Sequence, residues 1–271
     1  QENMTHSGTL TVNGGSFTLD VNGKQLTEEP GKTLLQLNGG SLTLKDSKGT
    51  GGMVGGKRVG STVAHMIVAN GGTLTIQNGN YWVNANGSGA DTDKGAVIYT
   101  DEGAKPVVKI KDGSFGRKTQ CSKYGFYMLS GTLEVEGGTF VDVWNSAIKD
   151  TEATISGGEF QSNLILSQDN AKLRGGIFSS IYVVDDEGKI ASGGDCTKLL
   201  DGEYGKNYRY YKKDSKGQYK PVDEAGAKRD TLFEVEVRCL LKELKGSAVI
   251  SVKSASGSIR QPMVGDTLQC T

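Results

Sequence analysis

The chain has 271 residues, of which 31 are basic and 31 are acidic, so its formal net charge is zero. A neutral balance argues against the basic surface of a nucleic-acid-binding protein, and no apolar run approaches the roughly 18 residues of a membrane span. The 40 glycines stand beside only four prolines and follow no Gly-X-Y period, which excludes collagen.

A short sequence motif recurs from residue 8 to residue 178. Its pattern is apolar, polar, apolar, then a corner that contains glycine, then an aromatic residue. The seven copies are GTLTVNGGSF (8–17), GSLTLKDSKG (40–49), GTLTIQNGNY (72–81), PVVKIKDGSF (106–115), GTLEVEGGTF (131–140), EATISGGEF (152–160) and AKLRGGIF (171–178). Apolar and polar residues that alternate with a period of two predict β-strands. A further apolar pair, such as Leu35 and Leu37, precedes several copies. Each repeat therefore carries three short strands separated by bends.

The last copies are too short to fold alone. Leu133, Ala153 and Ala171, their first apolar residues, are only 20 and 18 residues apart. A unit of that length must stack on its neighbours, which places equivalent residues about 4.8 Å apart. The pattern predicts an all-β fold, a right-handed parallel β-helix with three sides, over residues 1–199. A β-sandwich or a propeller would need hairpins or longer, more even blades.

The alignment predicts which residues face the core. The first inward column is Leu10, Leu42, Leu74, Val108, Leu133, Ala153 and Ala171, and the second is Val12, Leu44, Ile76, Ile110, Val135, Ile155 and Leu173. The aromatic column is Phe17, Tyr81, Phe115, Phe140, Phe160 and Phe178, with Gly49 as its one gap. On the outer surface Lys109 is expected opposite Glu134, and Lys111 opposite Glu136. Opposite charges on neighbouring strands stabilise a sheet, so these pairs are interpreted as structural.

The extra residues of the longer coils predict a binding face. They are expected mostly at one corner, between the aromatic residue and the next coil, in 20–33, 46–64, 84–95 and 116–125. Insertions on one side of a solenoid usually mark its binding face. The candidate ligand-binding residues there are Trp82, Tyr99, Asp91, Asp93, Arg58, Arg117 and Lys118. For Trp82, packing against the column of aromatic rings is the alternative.

Metal and cofactor signals are weak. Asp91 and Asp93 have the spacing of a calcium loop but lack its bidentate glutamate, so no cofactor is expected and calcium at this pair is the alternative. The four cysteines form no CxxC pair, which argues against zinc. The disulfide pairing of Cys121, Cys196, Cys239 and Cys270 stays open.

The repeat fades near residue 198. Residues 200–231 are charged, rich in tyrosine and predicted to form a capping hairpin or linker, because the end of a solenoid needs a cover. Residues 232–271 are predicted to form either a small β segment or a truncated immunoglobulin-like module, since a complete sandwich needs more strands.

The sequences of several segments resemble a known class of proteins. LDVNGKQLT (19–27), LNGGSLTLKDSKGTGG (37–52) and IYVVDDEGKIASGG (181–194), with the GGTF-type corners, resemble the β-helical repeat region of large bacterial cell-surface proteins. These are adhesin-like or pectate-lyase-like in fold and are often continued by immunoglobulin-like repeats. The resemblance implies a secreted protein at the bacterial cell surface, attached to a membrane or wall only through parts outside this chain.

Two functions are compatible with that resemblance. The first is a binding or adhesion module that recognises a glycan or a host surface glycoprotein through loops on one side of the solenoid, and it needs no catalytic residues. The alternative is a carbohydrate-active enzyme, either a polysaccharide lyase or a glycoside hydrolase. A hydrolase needs two carboxylates roughly 5–9 Å apart, for which Asp101 with Asp112 is the conceivable pair, although Asp112 also serves a corner that contains glycine.

Overall fold

The computed structural model describes residues 3–55, 65–83, 95–116, 124–140, 146–148, 151–167, 170–184, 190–191, 199–200, 208–213, 219–222, 232–235, 250–251 and 269–270. Within these ranges the regular secondary structure is β-strand, and no α-helix occurs. The predicted all-β fold class is therefore confirmed for the described residues.

The strands follow one another in a repeating order of three. In chain order they are β1 (Met4–His6), β2 (Leu10–Val12), β3 (Ser16–Asp20), β4 (Gln25–Glu28), β5 (Leu35–Leu37), β6 (Ser41–Lys45), β7 (Gly52–Gly55), β8 (Ile67–Ala69), β9 (Thr73–Ile76), β10 (Asn80–Val83), β11 (Ala96–Thr100), β12 (Val107–Ile110), β13 (Ser114–Phe115), β14 (Tyr124–Met128), β15 (Thr132–Val135), β16 (Thr139–Phe140), β17 (Ser146–Ile148), β18 (Glu152–Ile155), β19 (Glu159–Ser167), β20 (Ala171–Leu173) and β21 (Gly176–Val184).

From β1 to β16, each strand pairs in parallel with the strand three places further along the chain, and β18 pairs with β20. Sheet I contains β2, β5, β8, β11, β14 and β17. Sheet II contains β3, β6, β9, β12, β15, β18 and β20. Sheet III contains β1, β4, β7, β10, β13 and β16. Three parallel sheets visited in turn make a three-sided parallel β-helix; its right-handed sense stays a prediction.

Sheets III and I become continuous in the last coils. β19 and β21 have nine residues each. β19 begins beside β16 in sheet III and ends beside β17 in sheet I, and β21 follows it along both. Their register shifts between Phe160 and Asn163, where the chain turns from one sheet to the next. In earlier coils the connection at this corner includes residues 56–64, 84–94 and 117–123, which lie outside the described residues.

A column of aromatic rings runs through the core along sheet III. The register aligns Leu26, Met53, Tyr81, Phe115, Phe140, Phe160 and Phe178, all of them buried. The rings from Tyr81 to Phe178 stack with centroid separations of 5.3, 4.9, 4.3 and 5.1 Å. These values follow the strand spacing of about 4.8 Å. The predicted aromatic column is confirmed from Tyr81 onward.

The two predicted aliphatic columns lie in sheet II. From the second repeat onward, the register aligns the first column from Leu42 to Ala171 and the second from Leu44 to Leu173. The outer surface of this sheet also follows the prediction. Lys109 lies opposite Glu134, with Nζ 2.8 Å from Oε2, and Lys111 forms an ion pair with Glu136.

The first repeat was assigned to the wrong sheets. Leu10 pairs with Leu35 in sheet I, while Phe17 pairs with Leu42 in sheet II. Phe17 is therefore outside the column of sheet III, in which Met4 and then Leu26 precede Met53 in register. A strand of three to five alternating residues fits any side of a β-helix, so only its pairing with the next coil decides where it lies.

The predicted insertions 20–33 and 46–64 do not lie at a single corner. β4 divides the first and β7 divides the second. Met53, on β7, fills the position in the aromatic column that the alignment left to Gly49. The connections 21–24 and 46–51 therefore belong to the corner between sheets II and III, and not to the corner between sheets III and I.

Asp46 holds the corner between sheets II and III together. Its carboxylate, 1% exposed, accepts hydrogen bonds from the backbone N–H groups of Gly23 at 2.5 Å and Lys48 at 3.2 Å, and from that of Gly51. The side chain of Asn78, one coil further on, hydrogen-bonds the backbone nitrogen of Asp46 at 2.7 Å and its carbonyl oxygen at 3.0 Å. The buried carboxylate thus ties two successive coils, and the main-chain atoms of Asp46 tie the third through Asn78.

Antiparallel strands follow the last coil. They are β22 (Ile190–Ala191), β23 (Tyr208–Lys213), β24 (Tyr219–Val222), β25 (Leu232–Val235), β26 (Ile250–Ser251) and β27 (Gln269–Cys270). β23 pairs with β24 and with β25, and β25 pairs with β21 of the last coil. β26 pairs with β27. The first strand of the predicted segment 232–271 is thus hydrogen-bonded to the β-helix, and its immunoglobulin-like character stays a prediction.

Candidate functional site

Tyrosine side chains lie on the outer surface of sheet I. Ile98 and Phe126 pair in register and are fully buried. Since successive residues of a strand point to opposite faces, the next residues, Tyr99 and Tyr127, face outward. They also pair in register, and both are partly exposed.

These tyrosines belong to a short row of stacked rings. The ring of His65 lies 4.0 Å from that of Tyr99, with 7° between the planes. On the other side of Tyr99, the ring of Tyr127 lies 5.8 Å away with 23° between the planes. His65 is also fixed to the backbone, because its Nδ1 accepts a hydrogen bond of 2.9 Å from the N–H of Ala96. All three residues of the row are partly exposed to solvent.

Burial shifts the pKa of two members of this row, His65 and Tyr99. It lowers the pKa of His65 from 6.5 to about 4, against the opposing effect of the Asp101 charge. At physiological pH His65 is therefore neutral, with Nδ1 as the acceptor and the proton on Nε2, which can donate. Burial, the charge of Asp101 and hydrogen bonding to Asp101 raise the pKa of Tyr99, so its phenol stays protonated.

Asp101, directly after β11, is an exposed carboxylate held in place by its neighbours. Nδ2 of Asn70, from the preceding coil, donates to its Oδ2 at 2.6 Å, and its own N–H donates to Oδ1 of Asn70 at 3.3 Å. Oγ of Ser130, from the following coil, donates to its carbonyl oxygen at 2.6 Å. Three coils thus fix the position of one carboxylate at the surface.

Thr100 stabilises the same corner from inside. Its hydroxyl is fully buried. It accepts hydrogen bonds from the N–H groups of Leu129 at 3.0 Å and Ser130 at 3.3 Å, and donates to the carbonyl oxygen of Ser130 at 3.0 Å. The end of β11 is therefore locked to the next coil, which keeps Tyr99 and Asp101 in a constant relation. The name Tyr99 site is used below for His65, Asn70, Tyr99, Asp101 and Tyr127.

The Tyr99 site combines aromatic edges, a phenol, an imidazole donor and a fixed carboxylate acceptor. Such a set suits a ligand rich in hydroxyl groups. It does not supply a pair of catalytic carboxylates. Asp101 and Asp112 lie at opposite ends of β12, and a strand of four residues spans about 13 Å, which exceeds the separation of roughly 5–9 Å in glycosidases. Asp112 instead accepts a hydrogen bond of 2.7 Å from the N–H of Gly113.

Of the predicted ligand-binding residues, the structure describes Tyr99 and Trp82. Tyr99 lies in the site. Trp82 follows the buried Tyr81 on β10 and therefore faces away from the core, yet it is only 6% exposed, beside the buried Val54 with which it pairs. Its ring is packed in this conformation. The other candidates, Arg58, Asp91, Asp93, Arg117 and Lys118, lie outside the described residues, and so does the alternative calcium position at Asp91 and Asp93.

Sequence reasoning missed most of the Tyr99 site. Of its residues, only Tyr99 and Asp101 were candidates from the sequence, and His65, Asn70 and Tyr127 were not. One signal was present. The residue between the two members of each apolar pair that precedes a repeat, such as Tyr127 between Phe126 and Met128, must face outward.

No protein-family model matches the chain, and no significant similarity to a curated protein or to a solved structure was found. Among the residues that the structure describes, no cluster of three or more histidine, cysteine, aspartate or glutamate side chains could hold a metal ion. The described part of the chain also contains no helix with the length and apolar character needed to cross a membrane.

Proposed function

We propose that the chain is a binding module that recognises a glycan on the outer surface of sheet I, through the Tyr99 site. The observation that carries the proposal is the fixed arrangement of Asp101 beside the stacked rings of His65 and Tyr99. Sugars offer hydroxyl groups, which donate to carboxylates and accept from N–H and O–H groups. A site held rigid before binding loses little conformational entropy on binding.

The rigid β-helix supports this proposal. Main-chain pairing fixes β8, β11 and β14, which position the rings, and the corner after β11 is hydrogen-bonded to the coils on both sides. In the setting implied by the resemblance, the bound glycan would belong to a host glycoprotein or another cell, and the protein would act at the bacterial cell surface. Binding without turnover is expected.

A glycan array with the complete chain tests the proposal. Tyr99→Ala should abolish the signal from short bound oligosaccharides. Tyr182→Ala is the matched control. Tyr182 lies in the same outward column of sheet I, three strands beyond Tyr127, or about 14 Å away, and its loss should leave the signal unchanged.

Two results would contradict the proposal. One is an array without any signal that depends on Tyr99, in a variant whose far-UV circular dichroism matches that of the wild type. The other is release of shortened or unsaturated sugar from a bound polysaccharide, which would make the chain an enzyme.

A further inference from the structure

The charge of the Tyr99 site has a consequence for the class of its ligand. Of its five residues, His65 is neutral at physiological pH, and the two tyrosines and Asn70 carry no charge. Asp101 supplies the one carboxylate among these five residues. Among the described residues the ion pairs are Lys45–Asp20, Lys109–Glu134 and Lys111–Glu136, so none of them neutralises Asp101.

Hydrogen bonds with Asn70 hold this carboxylate in a fixed position. Asn70 bonds its main-chain nitrogen and also its Oδ2, so the carboxylate cannot rotate away from an approaching ligand without breaking the bond at Oδ2. An ionised carboxylate has acceptor sites for about four hydrogen bonds and no donor. Acceptor capacity remains toward solvent beyond the bonds from Asn70 and from the Tyr99 phenol, since Asp101 is exposed.

We propose that the ligand is a neutral glycan whose hydroxyl groups donate to Asp101, and that this carboxylate rejects glycans carrying a carboxylate at the same point. This inference rests on the proposed function and specifies the ligand class. A hydroxyl donates to Asp101, whereas a uronate oxygen has no proton to donate and meets a like charge. Two such charges about 4 Å apart in water cost about fivefold in affinity, and more where the surface excludes water.

This selectivity differs from what the pectate-lyase-like resemblance would imply. An enzyme of that type takes an acidic polysaccharide and needs basic or metal-bound groups to meet it. The fixed group at the Tyr99 site is acidic, so polyuronides should be poor ligands there.

The test uses one glycan in two forms. A neutral oligosaccharide that the array shows to bind through Tyr99 is compared, by isothermal titration calorimetry, with the same oligosaccharide after oxidation of its primary hydroxyls to carboxylates. The wild-type chain should bind the neutral form at least fivefold more tightly. In Asp101→Asn, which keeps the size of the side chain and removes its charge, the ratio should fall toward one. Asp112→Asn, the same change at another exposed corner, should leave the ratio as in the wild type.

The outcomes separate this inference from the function on which it rests. If the Tyr99-dependent ligands are all acidic, or if Asp101→Asn keeps the wild-type preference, the neutral-glycan inference is overturned while glycan binding stands. If no signal depends on Tyr99, the proposed function fails and the inference fails with it. A preference for the neutral form that Asp101→Asn removes and Asp112→Asn retains supports both.

Discussion

Phe140 and Phe160 stack at the centre of the β-helix, with ring centroids 4.3 Å apart and 7° between the ring planes. They come from successive coils and pair in register on β16 and β19. The separation is close to the spacing of the strands themselves, so the column of rings repeats the pitch of the backbone.

Removing one of these rings should destabilise the chain strongly. Phe140→Ala leaves a cavity between buried rings above and below, and we expect a loss of about 3–5 kcal/mol in the free energy of unfolding. Urea denaturation followed by circular dichroism measures it. Phe17→Ala is the matched control, because Phe17 is 54% exposed at the first coil, and it should cost less than about 1 kcal/mol. Equal losses at the two positions would show that the column does not dominate stability.

Replacing Asp46 by asparagine should weaken the contact between two successive coils. The two carboxylate oxygens accept from the N–H groups of Gly23, Lys48 and Gly51. An asparagine amide has only one acceptor oxygen, and its NH2 group would put two donors where the second oxygen accepts. We expect a loss of about 1–3 kcal/mol for a buried, partly unsatisfied network. Asp112→Asn, at an exposed corner with a bond to its own neighbour, should change stability by less than about 0.5 kcal/mol. Thermal unfolding compares the variants. An unchanged midpoint for Asp46→Asn would contradict a stabilising role for the Asp46 carboxylate.

His65 should make stability fall in mild acid. The unfolded chain takes up the proton below pH 6.5 and the folded chain only below about pH 4. Protons therefore bind the unfolded state first, so stability is full above pH 6.5 and declines as the pH drops to about 4. The decline from this group is at most about 3.5 kcal/mol, since the two pKa values differ by about 2.5 and one pKa unit corresponds to about 1.4 kcal/mol.

The comparison for His65 is the variant His65→Asn. Its Oδ1 can accept the N–H of Ala96 in place of Nδ1, but it does not titrate in this range. The free energy of unfolding is measured by urea titration from pH 7 to pH 4. As the pH falls, it should decrease more for the wild type than for the variant. Parallel curves would mean that His65 is protonated at the same pH in both states.

The ion pair between Lys109 and Glu134 should contribute little to the free energy of unfolding. The contribution should become unfavourable when the two side chains carry like charges. Nζ and Oε2 are 2.8 Å apart, with both side chains partly exposed. Glu134→Lys replaces attraction by repulsion across neighbouring strands, and we expect a loss of about 0.5–1 kcal/mol at low salt that shrinks at high salt. Exchanging both charges, with Lys109→Glu added, should recover most of it. A double variant less stable than the single one would show that the pair is held by something other than charge.

Much of the architecture could be read from the sequence. Alternation of apolar and polar residues is a local property, and short repeats must stack, so the β-helix, the aromatic column from Tyr81 onward and the pairing of Lys109 with Glu134 all follow from spacing. The first repeat could not be placed this way. Strands as short as that of Leu10 fit any side of the solenoid until a neighbouring coil pairs with them.

The Tyr99 site was decided by the tertiary structure. Tyr99 was a predicted contact, but its partners His65 and Asn70 come from the preceding coil and Tyr127 from the following one. Which outward side chains meet depends on the lengths of the connections, which vary from coil to coil and leave no periodic trace in the sequence. Trp82 is a second residue whose surroundings the sequence does not determine. Alternation predicts that its side chain faces outward, whereas packing leaves it only 6% exposed. Periodicity therefore determines what faces the core, and the stacking of unequal coils determines what gathers on the surface.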